Sequence, residues 1–480
     1  MKFLHKEDEL KELTYEDVFL MPQLSSIASR MEVDLSPQNG GGMTIPIVVA
    51  NMTAVSGRRM AETVTRRGGI VVLPQDMSLD RIEEIVKYVK KCHHLFETPV
   101  VVREHESVQS ALNLIHKRAH KAIVVVDELN KPVGIFTEAD VRHKDKFTKI
   151  EAVMTTDLVT VPSYATPEDI FTVLEEKRLS IVPVVNQDGT LAGVMTKKGA
   201  LRAKIYKPAV NQNGELLTAV AVGVNRDLEV TTQKLLELGV DTIVLDTAHG
   251  HQEKMIRAVK KVREIIGPHR TLVAGNIVSE EAAHDLCKAG ANVLKVGVGP
   301  GAMCITRMMT GVGRPQFSAV LKTAEVAKQY GAQVWADGGV KHPRDVALAI
   351  SAGASAVMVG SWFAGTYESP ADAMKDEQGR LYKENFGMAS NRAVIDRNIK
   401  FSSYDSAMKQ YFEEGISNSK LYLKPGSESV EDIIDTITAG IRSSCTYAGA
   451  RSITELSEKA IIGVQSTAGY KEGKPVSESW

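Results

Sequence analysis

The stretches AGANVLKVG (289–297) and AGASAVMVG (352–360) read as one step used twice, in which a helix passes through a small-residue turn into an apolar strand. An internal echo of this kind is typical of a repeated structural unit. Similar apolar, β-branched runs recur outward from the echo along the chain. The eight predicted strands are residues 44–52, 69–74, 218–224, 241–250, 271–278, 292–299, 333–339 and 355–360.

These strands are continuous apolar runs that alternate with helical segments, a pattern that predicts parallel strands covered by helices. Eight such units predict an α/β protein with a (β/α)8 barrel. Periodicity alone also allows a doubly wound sheet. The echo favours the barrel, because it uses the same helix, turn and strand twice.

Residues 93 to about 205 interrupt this alternation of strands and helices between the second and third predicted strands. They contain a repeat of their own, since the stretches that begin TPVVVREHESV (98–108) and TDLVTVPSYAT (156–166) each predict strand, helix, strand, turn and strand. We therefore divide the chain into residues 1–92, an inserted module of two similar halves at 93–205, and residues 206–480. The polar region from about residue 380 leads to a helical segment at 429–442, and we expect it to lie over the barrel mouth.

The composition predicts a small ligand. The 58 Lys and Arg residues nearly balance the 59 Asp and Glu residues, so no overall field attracts nucleic acid or an acidic membrane. The N-terminal segment is charged and lacks the apolar core of a signal peptide, which predicts a cytoplasmic protein. A disulfide framework or zinc site is not indicated, because four cysteines lie far apart at positions 92, 287, 304 and 445.

The ends of several predicted strands carry candidate binding residues. In a barrel, functional residues lie at the carboxyl ends of the strands, and phosphate commonly binds after strands seven and eight. Gly338-Gly339 and Gly360-Ser361 begin those two loops, and small residues there let backbone N–H groups approach anionic oxygens. They indicate a phosphorylated ligand, although glycines can also simply make tight turns.

Two aspartates and two histidines are also placed at strand ends. Asp246 and Asp337 end strands four and seven, where a carboxylate can bind sugar hydroxyls, cap a helix or pair with a rim cation. His249 and His251 form an H-x-H pair without a third ligand, which is a weak indication of metal.

The glycine-rich stretch GVGPGAMCITR (297–307) follows strand six and places Cys304 and Thr306 at the same mouth. A cysteine is most often a buried structural residue, but a glycine loop can expose its sulfur as a reactive thiol. A dinucleotide-binding reading needs G-x-G-x-x-G at the start of a long helix. The third glycine has the wrong spacing for that motif, and CITRMMTGVGRPQ (304–316) is not predicted to start a helix.

Taken together, these motifs resemble the IMP dehydrogenase/GMP reductase family across nearly the whole barrel. The matching segments are LTYEDVFLMP (13–22), GVGPGAMCITR (297–307), TGVGRPQ (310–316), ADGGV (336–340), VMVGSWFAGTYESP (357–370), FGMAS (386–390) and IRSSCTYAGA (441–450). The insertion is similar to the paired CBS modules of the family. The resemblance implies a TIM barrel with an inserted tandem CBS (Bateman) domain and a mobile flap at about 380–428.

The resemblance also implies the role of each site residue. Cys304 would attack C2 of a purine nucleotide, and a nicotinamide would then exchange a hydride with the covalent adduct. The implied substrate-binding residues are Met52, Asp337, Gly339, Gly360, Ser361, Met388 and Ala389. The implied cofactor-binding residues are Asp246, Thr247, Ala248 and Asn276. Potassium would be bound by the backbone carbonyls of Gly299, Gly301 and Cys304.

The direction of the reaction depends on the other half-reaction. Dehydrogenases of the family activate water with an Arg-Tyr pair on the flap, and the segment 388–415 contains no Arg-Tyr dipeptide. A reductase must protonate departing ammonia, a task that suits a hydroxyl and a carboxylic acid. Thr306 and Glu414 match that catalytic pair. The resemblance therefore favours NADPH-dependent conversion of GMP to IMP and ammonia in purine salvage, with oxidation of IMP to XMP by NAD as the alternative.

Several features of the sequence favour a dehydrogenase or depart from the pattern of the family. LDTAHGH (245–251) and the insertion are closer to bacterial dehydrogenases, and Ala302 stands where the family usually has a phosphate-binding serine. LPQDM (73–77) replaces the usual basic segment after strand two. A barrel that only senses nucleotides is a further alternative, but it would not need Cys304 with its catalytic partners.

The CBS resemblance implies ATP or GTP as an allosteric effector. Thr137 and Asp140 of the first copy are the implied effector-binding residues, whereas the second copy has Gly199 in place of the aspartate. A purely structural role in assembling tetramers into octamers is the alternative. The expected partners are purine nucleotides and further copies of the chain in a homotetramer or homo-octamer, without nucleic acid or membrane.

Overall fold

The fold centres on a closed barrel of eight parallel strands, in the order that the sequence predicts. The computed structural model describes residues 1–38, 41–115, 117–141, 144–387 and 419–474. Barrel strands one to eight are Ile47–Val49, Ile70–Leu73, Ala219–Val222, Thr242–Asp246, Thr271–Ile277, Val293–Val296, Gln333–Asp337 and Ala356–Val359. Strand eight pairs in parallel with strand one, Met358 opposite Val48, which closes the barrel and excludes a doubly wound sheet.

One helix follows each barrel strand on the outside. These outer helices are Arg58–Arg66, Leu79–Lys91, Leu228–Glu237, Glu253–Ile266, Glu280–Ala289, Gln316–Gln329, Pro343–Ser351 and Val430–Tyr447. The strands are apolar on both faces because one face fills the barrel interior and the other packs against the helices. None of the described helices combines the length and hydropathy that a membrane-spanning helix requires.

Glycines allow the turn in the repeated unit of helix, turn and strand. Gly290 and Gly353 have φ of 110° and 103°, a left-handed region that ends the helices Glu280–Ala289 and Pro343–Ser351 and turns the chain into strands six and eight. The echo in the sequence therefore reflects the same turn at two places in the barrel.

The prediction that the C-terminal region lies over the barrel mouth is wrong for its helix. The helix spans Val430–Tyr447, longer than predicted, and packs against the outer helices Pro343–Ser351 and Arg58–Arg66. A buried apolar stripe of Val430, Ile434, Ile437 and Ile441 fixes this position. It is the eighth outer helix, and residues 388–418 of the predicted flap lie outside the described part of the chain.

The insertion folds as two similar units between barrel strands two and three. The first has strands Val100–Arg103, Ala122–Val126 and Pro132–Thr137 with helix Val108–Ile115. The second has strands Val161–Pro162, Ile181–Val185 and Leu191–Thr196 with helices Pro167–Glu176 and Lys197–Ile205. In both units the first strand runs parallel to the second and the second antiparallel to the third, and each unit has its own apolar core.

The remaining elements are short. The strands outside the barrel and insertion are Lys2–Phe3, Val18–Leu20, Met374–Lys375, Leu381–Asn385, Ser419–Tyr422 and Ile461–Val464. The short helices are Lys6–Leu10, Tyr15–Asp17, Arg30–Glu32, Ile150–Ala152, Thr306–Thr310, Ser361–Ala364, Ile453–Lys459 and Thr467–Glu472. The pairing of Phe3 with Ile462 joins the two ends of the described chain beside the barrel.

Candidate active site at the barrel mouth

A cavity of about 420 Å3 opens at the carboxyl ends of the barrel strands. It is lined by every predicted barrel residue that the structure describes: Met52, Asp246, Thr247, Ala248, Asn276, Gly299, Gly301, Cys304, Thr306, Asp337, Gly339, Gly360 and Ser361. The predicted residues Met388, Ala389 and Glu414 lie outside the described residues. Six strands, at their carboxyl ends or in the loops that follow, thus bring the predicted residues to one cavity.

The thiol of Cys304 is paired with a hydroxyl. Its Sγ donates a hydrogen bond to Thr306 Oγ1 at 3.1 Å. Thr306 begins a five-residue helix, Thr306–Thr310, so the expectation that no helix starts in this segment is wrong. Gly311, with φ of 70°, ends that helix after little more than one turn. The short helix presents the hydroxyl beside the thiol and does not form the long helix of a dinucleotide-binding motif.

The glycines of this loop make room for Arg307. Its Nε donates to the carbonyl of Val298 at 3.0 Å, and its guanidinium also donates to the carbonyl of Arg314. A Cβ atom on Gly299 would lie 2.5 Å from Arg307 Cγ, and one on Gly313 would lie 2.5 Å from Arg307 Nε. The arginine therefore ties together the two ends of the loop, and the glycines permit the close packing that this requires.

The two predicted phosphate loops lie on the same cavity. Gly338 and Gly339 have φ of 86° and 81°, a region that other residues rarely adopt. Gly360 approaches strand one so closely that a Cβ would lie 3.1 Å from Met52 Sδ. Ser361 begins the short helix Ser361–Ala364. These conformations bring the backbone to the cavity wall, as the predicted anion site requires.

A buried lysine joins the two predicted aspartates. Lys295 Nζ lies 2.7 Å from Asp246 Oδ1 and 2.9 Å from Asp337 Oδ2. Asn51 Nδ2 donates to the other Asp246 oxygen at 2.8 Å. Lys295 and Asn51 were not among the residues predicted from the sequence. The available signal for the lysine was its single charge inside the apolar run AGANVLKVG, which burial makes costly unless a partner is present.

The side-chain oxygen of Asn276 is available to accept a hydrogen bond from a ligand. Its Nδ2 donates to the carbonyl of Gly297 at 2.7 Å and to Asp337 Oδ2 at 2.9 Å. Its Oδ1 is buried and has no hydrogen-bond partner within the described part of the chain. A buried acceptor of this kind is costly unless a ligand donates to it. The carboxamide N–H of a nicotinamide is a suitable donor, so the site fits the predicted cofactor.

The predicted potassium site has suitable donors. Backbone carbonyl oxygens are typical potassium ligands. The carbonyl of Gly301 accepts the N–H of Cys304 at 3.1 Å, which leaves one of its two lone pairs for a cation. Among the described residues, no three side chains of the His, Cys, Asp and Glu types form a metal-ligand cluster. His251 instead pairs with Asp285, at 2.9 Å.

The predicted effector residues lie in the insertion. Asp140 Oδ2 accepts the backbone N–H of Thr137 at 2.7 Å and its hydroxyl at 2.9 Å. In the second unit, the hydroxyl of Thr196 donates to Glu97 Oε1 at 3.0 Å, and a Cβ on Gly199 would lie 2.2 Å from that oxygen. A carboxylate from another segment thus fills the space beside Gly199.

Comparisons with known proteins find relatives over almost the whole length of the chain. A family model described as IMP dehydrogenase / GMP reductase domain matches residues 12–476. The chain is 53% identical to a GMP reductase of Mycobacterium tuberculosis (strain H37Rv) over 481 residues, 100% of both chains. It is 37% identical to an inosine-5′-monophosphate dehydrogenase of Staphylococcus aureus (strain MW2) over 472 residues, 96% of this chain and 95% of that one.

Solved structures are similar over almost the full length. A GMP reductase variant from Trypanosoma brucei in complex with guanosine 5′-monophosphate is 32% identical, with a TM-score of 0.69 and 98% of each chain covered. The reductase of the same organism in complex with guanosine 5′-triphosphate has a TM-score of 0.58 at 30% identity, with 95% of this chain and 98% of that chain covered.

Proposed function

Because this chain belongs to the IMP dehydrogenase/GMP reductase family and is an oxidoreductase, we propose that it converts GMP and NADPH to IMP, ammonia and NADP+. The observation that carries the proposed direction is the absence of an Arg-Tyr dipeptide from residues 388–415. The hydrogen bond of 3.1 Å between Cys304 and Thr306 on the wall of the cavity supports the two catalytic groups. A nucleophile with an adjacent hydroxyl suits the expulsion of ammonia. The full-length relatives named GMP reductase support the same direction.

The chemistry balances around Cys304. Its sulfur forms a bond to C2 of the purine, and the 2-amino group leaves as ammonia after it receives a proton. NADPH, when bound, supplies the hydride that C2 accepts. The C2–sulfur bond then breaks with release of IMP, and a proton from water restores the thiol. Thr306 holds the thiol by its hydrogen bond and relays the proton, with Glu414 as the proposed acid.

The cavity separates into two binding regions in this proposal. GMP binds through Met52, Asp337, Gly339, Gly360 and Ser361. Met388 and Ala389 of the flap face its purine base. The dinucleotide binds beside Asp246, Thr247, Ala248 and Asn276. The unpaired Oδ1 atom of Asn276 supports the second assignment. Potassium on the carbonyls of Gly299, Gly301 and Cys304 would stabilise the loop after strand six.

The insertion, residues 93–205, serves in this proposal as a CBS pair that binds ATP or GTP. Thr137 and Asp140 form the effector site of the first unit. The side chain of Glu97 occupies the space beside Gly199, which disfavours a nucleotide at that place in the second unit. The solved complex of the Trypanosoma brucei reductase with guanosine 5′-triphosphate supports a guanine nucleotide as the ligand. The active form is a homotetramer or homo-octamer.

The test is a pair of assays on one preparation. With GMP, the absorbance of NADPH is expected to fall; with IMP and NAD+, no NADH is expected to appear. The alternative is an IMP dehydrogenase, which is favoured by the full-length similarity to the Staphylococcus aureus enzyme. Turnover in the second assay alone would establish that alternative and overturn the proposal.

A further inference from the structure

Strand six carries a charge that the barrel itself does not need. The Lys295 side chain is only 3% exposed, and the other three residues of its strand are apolar and buried. In the repeated step, AGANVLKVG against AGASAVMVG, the residue that corresponds to Lys295 is Met358 of strand eight. Both side chains line the same cavity. An apolar residue therefore satisfies this position of the fold, and the ammonium requires another explanation.

The contacts of Lys295 run across the floor of the cavity. Its Nζ contacts Asp246 Oδ1 and Asp337 Oδ2, while Asn51 holds the second oxygen of Asp246 and Asn276 donates to Asp337 Oδ2. We call these five residues the polar chain. It joins strands four, six and seven to the ends of strands one and five. Without the ammonium, two carboxylates that each lie within 3 Å of one atom would repel each other.

The polar chain leaves specific oxygens for ligands. Asp337 Oδ2 receives both protein donors, from Lys295 and Asn276, whereas no hydrogen bond joins Asp337 Oδ1 to the described residues. Oδ1 is therefore the oxygen that remains for ribose hydroxyls. Asp246 has one protein donor on each oxygen, which fixes the plane of its carboxylate.

Lys295 does not itself exchange protons in the neutral range. Burial opposes its charge, but Asp246 and Asp337 outweigh that effect and hold the pKa of Lys295 above its ordinary value of 10.5. The side chain stays a cation and acts through the carboxylates that it contacts. Its Cβ is also enclosed by strand five, since a Cβ on Gly275 would lie 2.7 Å from it.

We infer that Lys295 is a positioning residue that orients Asp337 toward the nucleotide and Asp246 toward the dinucleotide. The inference rests on the proposed function for the identity of the two ligands. One buried cation then contributes to the affinity of both ligands, although its own contacts are with the carboxylates of Asp246 and Asp337.

Calorimetry with GMP and with NADP+ tests the inference, because NADP+ has no hydride to transfer and neither ligand turns over alone. Lys295→Met is expected to lower the affinity for both ligands by at least about tenfold, since a hydrogen bond to a charged group is lost at each carboxylate. Lys288→Met is the matched control, an exposed lysine on the helix before strand six. It is expected to leave both affinities unchanged.

A second variant separates positioning from stability and serves if Lys295→Met does not fold. Lys295→Met with Asp246→Asn removes the repulsion between the two carboxylates. We expect GMP affinity within about fivefold of the parent, because Asn276 still holds Asp337, and NADP+ affinity still reduced by at least about tenfold. Unchanged affinities in the single variant, or equal losses of both ligands in the double variant, would overturn the inference. A parent protein without GMP-dependent NADPH oxidation would instead contradict the proposed function.

Discussion

Cys304 and Thr306 touch each other on the cavity wall, yet their variants should fail in different ways. The sulfur forms and breaks the bond to the purine in the proposed reaction. The hydroxyl only helps to hold the thiol and move a proton. Separate variants can therefore test the two roles.

Cys304→Ala is expected to abolish turnover and to keep GMP affinity within about threefold, because the side chain contributes a covalent bond more than ground-state binding. Steady-state assays and calorimetry measure the two quantities. A nucleotide-sensing protein without catalysis would show no turnover before the substitution either. Residual turnover close to that of the parent would remove Cys304 from the mechanism.

Thr306→Val keeps the shape of the side chain and removes the hydroxyl. We expect kcat to fall by about 100-fold or more, the usual contribution of a positioned proton-transfer group. Thr306→Ser keeps the hydroxyl and is expected to stay within about fivefold of the parent. Equal kcat values for the two variants would contradict the proton relay.

Lys383 gives a pH prediction outside the active site. Burial, followed by repulsion from Arg59, lowers the pKa of Lys383 from its ordinary value of 10.5 to about 7. Between about pH 7 and 10.5 the unfolded chain binds a proton at Lys383 that the folded chain does not. The contribution of Lys383 to the free energy of unfolding therefore rises with pH in this window and is constant below about pH 7. Relative to Lys383→Met, the parent should gain about 1 kcal/mol or more between about pH 7 and about pH 9 in guanidinium unfolding. An equal difference at both pH values would contradict the shift.

At the scale of elements, the loop after strand six depends on Arg307 packing against glycine. Gly299→Ala and Gly311→Ala form a matched pair, because both positions have φ near 70° but only Gly299 faces a side chain. Both variants should lose about 1–2 kcal/mol of stability from the left-handed backbone. Only Gly299→Ala should also reduce kcat, by about tenfold or more, because Arg307 must move and carry Cys304 with it.

Thermal unfolding and steady-state kinetics of both variants check this prediction. A similar loss of kcat in Gly311→Ala would show that backbone strain alone disturbs the loop, and would remove the special role of Arg307.

The strands were predictable from the sequence because parallel strands buried on both faces read as apolar runs. The place of the helix Val430–Tyr447 was not, because an amphipathic stripe does not identify the surface that it packs on. Lys295 was missed for a related reason. Its partners, Asp246 and Asp337, are 49 and 42 residues away along the chain and meet it only through the order of the barrel strands.

At the scale of the whole molecule, charged contacts hold the insertion against the outer helices. Arg118 pairs with Glu62 of the first outer helix, and Arg202 contacts Asp432 at 2.6 Å and Glu431 at 3.2 Å on the eighth. These two helices follow strands one and eight, and Met52 and Ser361 lie directly after the ends of those strands. The insertion therefore lies against the elements beside the proposed nucleotide site, which gives a physical route for the proposed regulation.

Replacing residues 93–205 by a short flexible linker is expected to leave kcat within about fivefold, because the barrel has its own core and Glu62 regains water in place of Arg118. The response of turnover to ATP or GTP should disappear. Assays with and without each nucleotide compare the parent and the shortened chain. A nucleotide response that survives the deletion would exclude the insertion as the effector site.

In the proposed function, the chain removes the 2-amino group of GMP reductively through Cys304. The most direct measurement follows GMP labelled with 15N at that amino group by mass spectrometry while NADPH absorbance is recorded. We predict equal amounts of labelled ammonia, IMP and oxidised NADPH, and none of these products with Cys304→Ala. Formation of XMP from IMP and NAD+, with no labelled ammonia from GMP, would contradict the account.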